Sequence, residues 1–260
     1  MAKNPSTSKC YSKLIRSCKY FFEKNPVVVA ADLYCETKIC SNKDCDGDEK
    51  CCISIDINKV TSKIWLTAGL ILNCEHVSNY ASLLYQKLYR YEMVRLDLCN
   101  QHIIYDEFKH LASCAKSILL INVQITYNDG SVVTLETILG SIPNVENFQY
   151  HSEDNRAVIT SSTFANILKL KNLNDLNSFH LSNIVETVTV KSLSMFLENH
   201  KGTKIYLEFD DSISEEYKLQ LDSLVNTVIE CETAQHFIVY DGQDDDKYEI
   251  MDDRYYNFDE

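Results

Sequence analysis

The chain has 260 residues, of which 45% are hydrophobic and 24% charged, and its formal net charge is −13. This hydrophobic content is typical of a folded domain and argues against wholesale disorder. The excess of negative charge disfavours nucleic acid and anionic membrane surfaces as partners, because both are bound chiefly by cationic groups.

The N-terminal sequence predicts neither secretion nor membrane anchoring. The first apolar run, residues 27–31, is too short for a signal-peptide core or a membrane span. The eleven cysteines are odd in number and belong to a large chain, which favours reduced thiols over a disulfide framework. A cytoplasmic or nuclear location is therefore expected.

Residues 5–35 are predicted to form a short helical segment, because their apolar residues recur at helical spacing until Asn25 and Pro26. The polar, turn-rich residues 36–50 predict a loop. Beyond it, Ile53, Ile55 and Ile57 alternate as in a strand, and a second strand is predicted around Trp65. A helical stripe follows, formed by Tyr80, Leu83, Leu84, Leu88 and Tyr91.

A repeated pattern begins at residue 93, with apolar residues at offsets 0, 3, 5, 8 and 10. Two copies fit well: Met93, Leu96, Leu98, Gln101 and Ile103, and then Ala115, Ile118, Leu120, Val123 and Ile125. Weaker copies begin at 145, 176 and 202, so the starts are 22, 30, 31 and 26 residues apart. This order of strand-like segments indicates a repeat architecture.

A helix is predicted after each strand-like segment, which is typical of a strand-helix solenoid. The first is expected over 106–113 with Asp106 as its cap, and the second over 135–142. The last is predicted to begin with a capping box of Ser212 and Glu215. Asp129-Gly130 predicts a hairpin turn. The chain is therefore expected to be an α/β leucine-rich-repeat-like solenoid; an unrelated α+β domain is the alternative.

Three segments resemble the nematode F-box-like proteins that carry a leucine-rich-repeat-like C-terminal region. They are residues 13–26 (KLIRSCKYFFEKNP), 127–131 (YNDGS) and 209–217 (FDDSISEEY). The resemblance implies a truncated F-box-like segment over 5–35 and a leucine-rich-repeat-like domain over 51–230. It also implies that a Skp-type adaptor of a cullin-RING ubiquitin ligase docks at the N-terminal segment, through Leu14, Ile15, Cys18, Phe21 and Phe22.

The C-terminal residues 242–260 form an acidic tail with eight acidic residues against Lys247 and Arg254. We expect a solvated, flexible terminus here, with a partner-binding peptide as the alternative. Just before the tail, residues 237–240 have strand character and are expected to pair with a sheet edge.

A cysteine cluster over 35–52 offers possible metal ligands, with Cys74 and His76 further along the chain. Structural zinc usually takes paired ligands two to four residues apart, and the cluster holds no Cys-x-x-Cys. Reduced thiols are favoured, and whether the cluster binds zinc stays open. Neither a catalytic motif nor a nucleotide loop is found, so no enzyme activity and no cofactor are predicted.

Residues between the template positions are predicted to lie on the exposed face of a parallel sheet, because side chains alternate along a strand. The predicted partner-binding residues are Arg95, Asp97, Gln149, His151, His180, Lys204, Tyr206 and Glu208. The preferred function is recognition of a protein substrate for a ubiquitin ligase. An interaction scaffold without ligase coupling is the alternative, and a small zinc-dependent or hydrolytic enzyme is a remote one.

Overall fold

A computed structural model describes residues 5–35, 38–41, 51–73, 78–153, 156–231 and 235–257. The chain divides into two compact units. Unit 1 runs to Lys116 and includes Val123–Ile125, and unit 2 comprises Ser117–Asn122 and the chain from Thr126 onward. Within the described residues, no helix has both the length and the apolar character that crossing a membrane requires.

Unit 1 begins with two short helices, α1 (Ser8–Ser17) and α2 (Lys19–Lys24). The hydroxyl of Thr7 caps α1 by accepting the backbone N–H of Cys10 at 3.1 Å. The helical prediction for residues 5–35 is wrong from residue 27 onward, where β1 (Val27–Tyr34) begins. Its β-branched, largely buried residues pair in parallel with a neighbouring strand, and this tertiary pairing decides the conformation.

The sheet of unit 1 also contains β2 (Lys38–Cys40), β3 (Cys52–Ser54), β4 (Lys63–Asn73), β5 (Leu88–Tyr91) and β6 (Arg95–Cys99). The strand order is β6-β4-β1-β2-β3, and β5 pairs with the first part of β4. β4 pairs in parallel with β1, β5 and β6, whereas β2 and β3 form an antiparallel hairpin. The strand predicted around Trp65 is therefore confirmed as β4.

The remaining helices of unit 1 are α3 (Tyr80–Tyr85) and α4 (Tyr105–Ala112). The predicted helical stripe is wrong beyond Tyr85, because Leu88 and Tyr91 belong to β5. The prediction that Asp106 caps this helix is wrong. Helix α4 begins at Tyr105, and Ile104, at the N-cap position, makes no side-chain hydrogen bond to it. Two further strands, β7 (His102–Ile104) and β9 (Gln124–Thr126), form a separate two-stranded sheet.

The first copy of the repeat pattern is buried in unit 1 at each of its five positions. Gln101, at the fourth position, is 2% exposed, and its side-chain oxygen accepts the backbone N–H of Ala81 at 3.1 Å. Its side-chain N–H₂ lies 3.3 Å from the backbone oxygen of Cys99. The amide thus satisfies buried backbone groups, which explains a polar residue in an apolar pattern.

Unit 2 alternates strands and helices along the chain. The strands are β8 (Ser117–Ile121), β10 (Asn147–His151), β11 (Ser178–Ile184), β12 (Lys204–Phe209) and β13 (His236–Val239). The helices are α5 (Leu135–Gly140), α6 (Thr163–Ile167), α7 (Val190–Asn199), α8 (Glu215–Glu230) and α9 (Asp245–Asn257). The strands neighbour one another in chain order and all pair in parallel. The predicted α/β class is confirmed.

One side of the unit 2 sheet packs against helices through a row of aromatic rings. The rings of Phe148 and Phe179 stack with centroids 5.8 Å apart, and Phe196 of α7 meets Phe179 edge-on at 5.1 Å. Phe164 of α6 contacts Phe196 at 5.2 Å. Strand alternation therefore sends every second residue of β10 and β12, and of β11 up to Leu181, into this core.

The predicted turns and caps of unit 2 are partly right. The hairpin turn is confirmed, because the N–H of Gly130 donates to the carbonyl of Tyr127 at 3.0 Å and Gly130 has a φ of 84°. The capping box is wrong: Ser214, not Ser212, precedes α8, and its hydroxyl accepts the N–H of Tyr217. The hydroxyl of Ser212 instead bonds Asp210.

Candidate functional site

Side chains opposite the aromatic core line a polar face of the unit 2 sheet. We define this polar face by Gln149, His151, His180, Ser182, Tyr206 and Glu208. Parallel register places Gln149 beside His180 and His180 beside Tyr206, whereas His151 lies beside Ser182. All but the buried Ser182 are half-buried. Three neighbouring strands thus contribute one continuous set of hydrogen-bonding groups.

His180 is the centre of this polar face. Its ring lies 4.1 Å from the ring of Tyr206, and its Nε2 lies 3.0 Å from the hydroxyl of Ser182. Burial lowers the pKa of His180, which the charge of Glu208 opposes and that of His151 reinforces. Burial and Glu208 together raise the pKa of Tyr206. Both rings are therefore uncharged near neutral pH and present aromatic surface with polar edges.

Helix α9 closes the polar face on its β13 side. The ring of Tyr255 packs against Tyr206 at 6.0 Å and Phe237 at 5.8 Å, and the ammonium of Lys204 lies 4.5 Å above it. The flexible terminus expected from the acidic composition is therefore wrong over Asp245–Asn257. Burial of these aromatic side chains outweighs the repulsion among exposed carboxylates. The strand predicted at 237–240 is confirmed as β13, which pairs with β12.

The structure brings together six of the predicted partner-binding residues on the sheet of unit 2. They are Gln149, His151, His180, Lys204, Tyr206 and Glu208, although Lys204 lies under α9. Arg95 and Asp97 belong to β6 of unit 1. The prediction that Asp97 is exposed is wrong. The residue is 4% exposed, and its carboxylate accepts a hydrogen bond from Nε of Arg95 at 2.8 Å.

Unit 1 contains a buried carboxylate, Asp32, that sequence reasoning missed. Asp32 is 6% exposed and lies in register with Gly69, which in turn pairs with Arg95. A side chain on Gly69 would place its Cβ 2.7 Å from Oδ1 of Asp32. The carboxylate thus occupies the space that the glycine leaves. Its signal in the sequence is an acidic residue within an otherwise apolar strand.

The predicted adaptor-binding residues are distributed between core and surface. Ile15 packs against the buried cluster of Tyr11, Val27 and Trp65. Leu14, Phe21 and Phe22 are half-buried, and Cys18 is exposed. Sequence reasoning did not select Tyr20, which is 54% exposed beside Phe21. The helices therefore present several aromatic side chains at their surface.

The structure describes part of the predicted cysteine cluster. Cys45, Cys74 and His76 lie outside the described residues. Cys35 is disulfide-bonded, so the expectation of reduced thiols is wrong at that position. The thiols of Cys40, Cys51 and Cys52 converge, with all three sulfur atoms within 4.8 Å of one another. These three cysteines are not disulfide-bonded.

The polar face thus combines aromatic rings with hydrogen-bonding groups of differing charge on three paired strands. Comparison of the chain with protein-family models and with curated proteins finds no match.

Proposed function

We propose that this chain is a protein-interaction module that binds a partner protein through the polar face of unit 2. The observation that carries the proposal is the row of Gln149, His180 and Tyr206, which three parallel strands hold in register. Backbone pairing fixes the spacing of these side chains before any partner arrives, so little conformational entropy is lost on binding.

We further propose that unit 2 is leucine-rich-repeat-like. Support comes from strands that follow one another in chain order with a helix after most of them. Asparagines add to this: Asn122 and Asn183 adopt positive φ. Nδ2 of Asn183 donates to the carbonyl of Ser152 at 2.8 Å, and Oδ1 of Asn122 accepts the N–H of Glu153 at 3.1 Å. These side chains connect the ends of neighbouring strands of unit 2, from β8 to β10 and from β10 to β11.

The partner we propose for the N-terminal helices is a Skp-type adaptor, which would make the chain a cytoplasmic or nuclear substrate-recognition subunit of a cullin-RING ubiquitin ligase. The specific observation is the partly exposed aromatic surface of α2, with Tyr20, Phe21 and Phe22. An interaction scaffold without ligase coupling is the second candidate. The side chain of Ile15 supports this second candidate, because it packs in the chain's own core instead of facing an adaptor.

The adaptor proposal is tested by a pull-down of the purified chain with a Skp-type adaptor. Wild type is expected to bind, and the double variant Leu14→Asp, Phe21→Asp to lose binding while keeping its circular dichroism spectrum. The control Lys13→Asp alters an exposed position on the same helix and is expected to bind. Absence of binding by wild type would leave the scaffold without ligase coupling.

The polar face is tested by recovering partners of the tagged chain from its native cells. The variants Gln149→Ala and His180→Ala are expected to reduce retention of a specific partner by about tenfold or more, corresponding to at least 1.4 kcal/mol of binding free energy. Matched controls are Lys169→Ala and Met195→Ala, which change exposed residues on the helical side of unit 2. Equal retention by all four variants would refute the proposal.

A further inference from the structure

The hairpin of β2 and β3 gathers three thiols in unit 1. Cys40 and Cys52 are directly opposed in the antiparallel register, so their side chains emerge on the same side of the hairpin. Cys51 immediately precedes β3, and its sulfur lies 3.2 Å from that of Cys40. A third thiol thereby joins a cross-strand pair through local geometry alone.

The sulfur positions match the spacing that a tetrahedral metal ion requires. With metal–sulfur bonds of about 2.3 Å, two thiolates of a tetrahedral zinc site lie about 3.8 Å apart. The three sulfur atoms here lie within 4.8 Å of one another, and the closest pair is 3.2 Å apart. Shifts within the rotamer freedom of the side chains would bring all three onto one ion.

The donor set selects the kind of ion. The three sulfur ligands, which are the whole cluster among the described residues, favour a thiophilic ion over calcium or magnesium, which prefer oxygen. Cys40 is 1% exposed, whereas Cys51 and Cys52 are half-buried. The cluster is therefore partly enclosed by protein and partly reachable from solvent.

We propose that Cys40, Cys51 and Cys52 form a Zn²⁺-binding site with three thiolate ligands. Binding releases the three thiol protons, so affinity rises with pH. The ion would join β2 to β3 and hold the edge of the unit 1 sheet. This inference is independent of the proposed partner-binding function, because the polar face belongs to unit 2.

The test uses Co²⁺ as a spectroscopic probe in the full chain, titrated after reduction and without oxygen. Wild type is expected to bind one Co²⁺ with strong thiolate-to-metal charge-transfer absorption, which one equivalent of Zn²⁺ removes. We expect weaker Co²⁺ binding, by at least about 10- to 100-fold, from each of the variants Cys40→Ser, Cys51→Ser and Cys52→Ser. Loss of an outer-shell partner of a metal ligand typically lowers metal affinity by this factor, and here a ligand itself is removed.

Two control variants separate this site from the other cysteines. Cys114→Ser changes an exposed thiol and is expected to keep the full absorption. Cys35→Ser is expected to keep it as well, which matters because reduction also opens the disulfide of Cys35. Circular dichroism of each variant without metal shows whether it has folded.

Native mass spectrometry of wild type provides a measurement that needs no variant, with one bound zinc as the expected result. The proposal is overturned if wild type gives no charge-transfer absorption, or if Cys52→Ser binds Co²⁺ like wild type. A disulfide between Cys40 and Cys51 in the purified, metal-exposed protein would also overturn it, since the oxidised sulfurs are no longer thiolates.

Discussion

Replacement of Tyr255 by alanine should release α9 from the unit 2 sheet. The Tyr255 side chain is 9% exposed and contacts Tyr206, Phe237 and Lys204. Replacing a buried aromatic side chain by alanine typically costs about 3–5 kcal/mol. We expect about 3 kcal/mol, because a terminal helix can undock instead of leaving a cavity.

Amide hydrogen exchange measures this loss within α9 itself. A free energy of about 3 kcal/mol corresponds to roughly a 150-fold fall in protection of the α9 amides. The matched control is Tyr256→Ala, which removes the neighbouring ring that is 61% exposed. In this variant, the protection of the α9 amides should fall by less than about fivefold, because substitutions at the surface usually change stability little.

Two results would show that Tyr255 does not hold α9 on the sheet. Unprotected α9 amides in wild type would mean that the acidic segment is a flexible terminus after all. Equal loss of protection in the Tyr255 and Tyr256 variants would mean that the buried ring does not hold the helix. A spectrophotometric titration adds an independent check, because burial raises the pKa of Tyr255 to about 12. Its ionisation, and a loss of stability, should therefore begin above the ordinary value of about 10.

Three further changes test the interior of each unit by urea denaturation. Gly69→Ala should lower the free energy of unfolding by about 1–3 kcal/mol, because the new Cβ would lie 2.7 Å from Oδ1 of Asp32. Gly202→Ala should leave the free energy of unfolding unchanged, because nothing lies within 4 Å of the new Cβ. Equal effects of the two substitutions would contradict this packing. Gln101→Ala should cost about 1–3 kcal/mol by leaving a buried backbone N–H unsatisfied, and the exposed Gln124→Ala less than about 0.5 kcal/mol. Burial lowers the pKa of His236, so the unfolded chain binds more protons and stability should fall as pH drops below about 6.5; a variant His236→Gln with the same pH dependence would exclude this residue as the cause.

The spacing of apolar residues predicted β8, β10, β11 and β12, because each of these strands has one buried side. The register that aligns Phe148 with Phe179, and Gln149 with His180, follows once such strands pair in parallel. Alternation alone then assigns the aromatic residues to the core and the polar ones to the opposite side. This is why six of the predicted partner-binding residues share one sheet.

Features that depend on contacts between residues far apart in the chain were not predicted from the sequence. The short apolar run of β1 has no decisive periodicity, and its pairing with β4 makes it a strand. Asp97 alternates as an exposed residue should, yet the surrounding structure of unit 1 leaves it 4% exposed. The meeting of Cys40 with Cys52 depends on hairpin register, which spacing along the chain does not reveal.

Site-specific photo-crosslinking shows whether the polar face contacts a protein partner. A photoreactive amino acid is placed at Gln149 on the polar face, or at Lys169 on the helical side, in the tagged chain within its native cells. We predict a discrete crosslinked partner from position 149 that disappears when His180→Ala is added, and none from position 169. Crosslinks from position 169 alone, or a crosslink from 149 that persists in the His180→Ala background, would show that the polar face is not the binding surface.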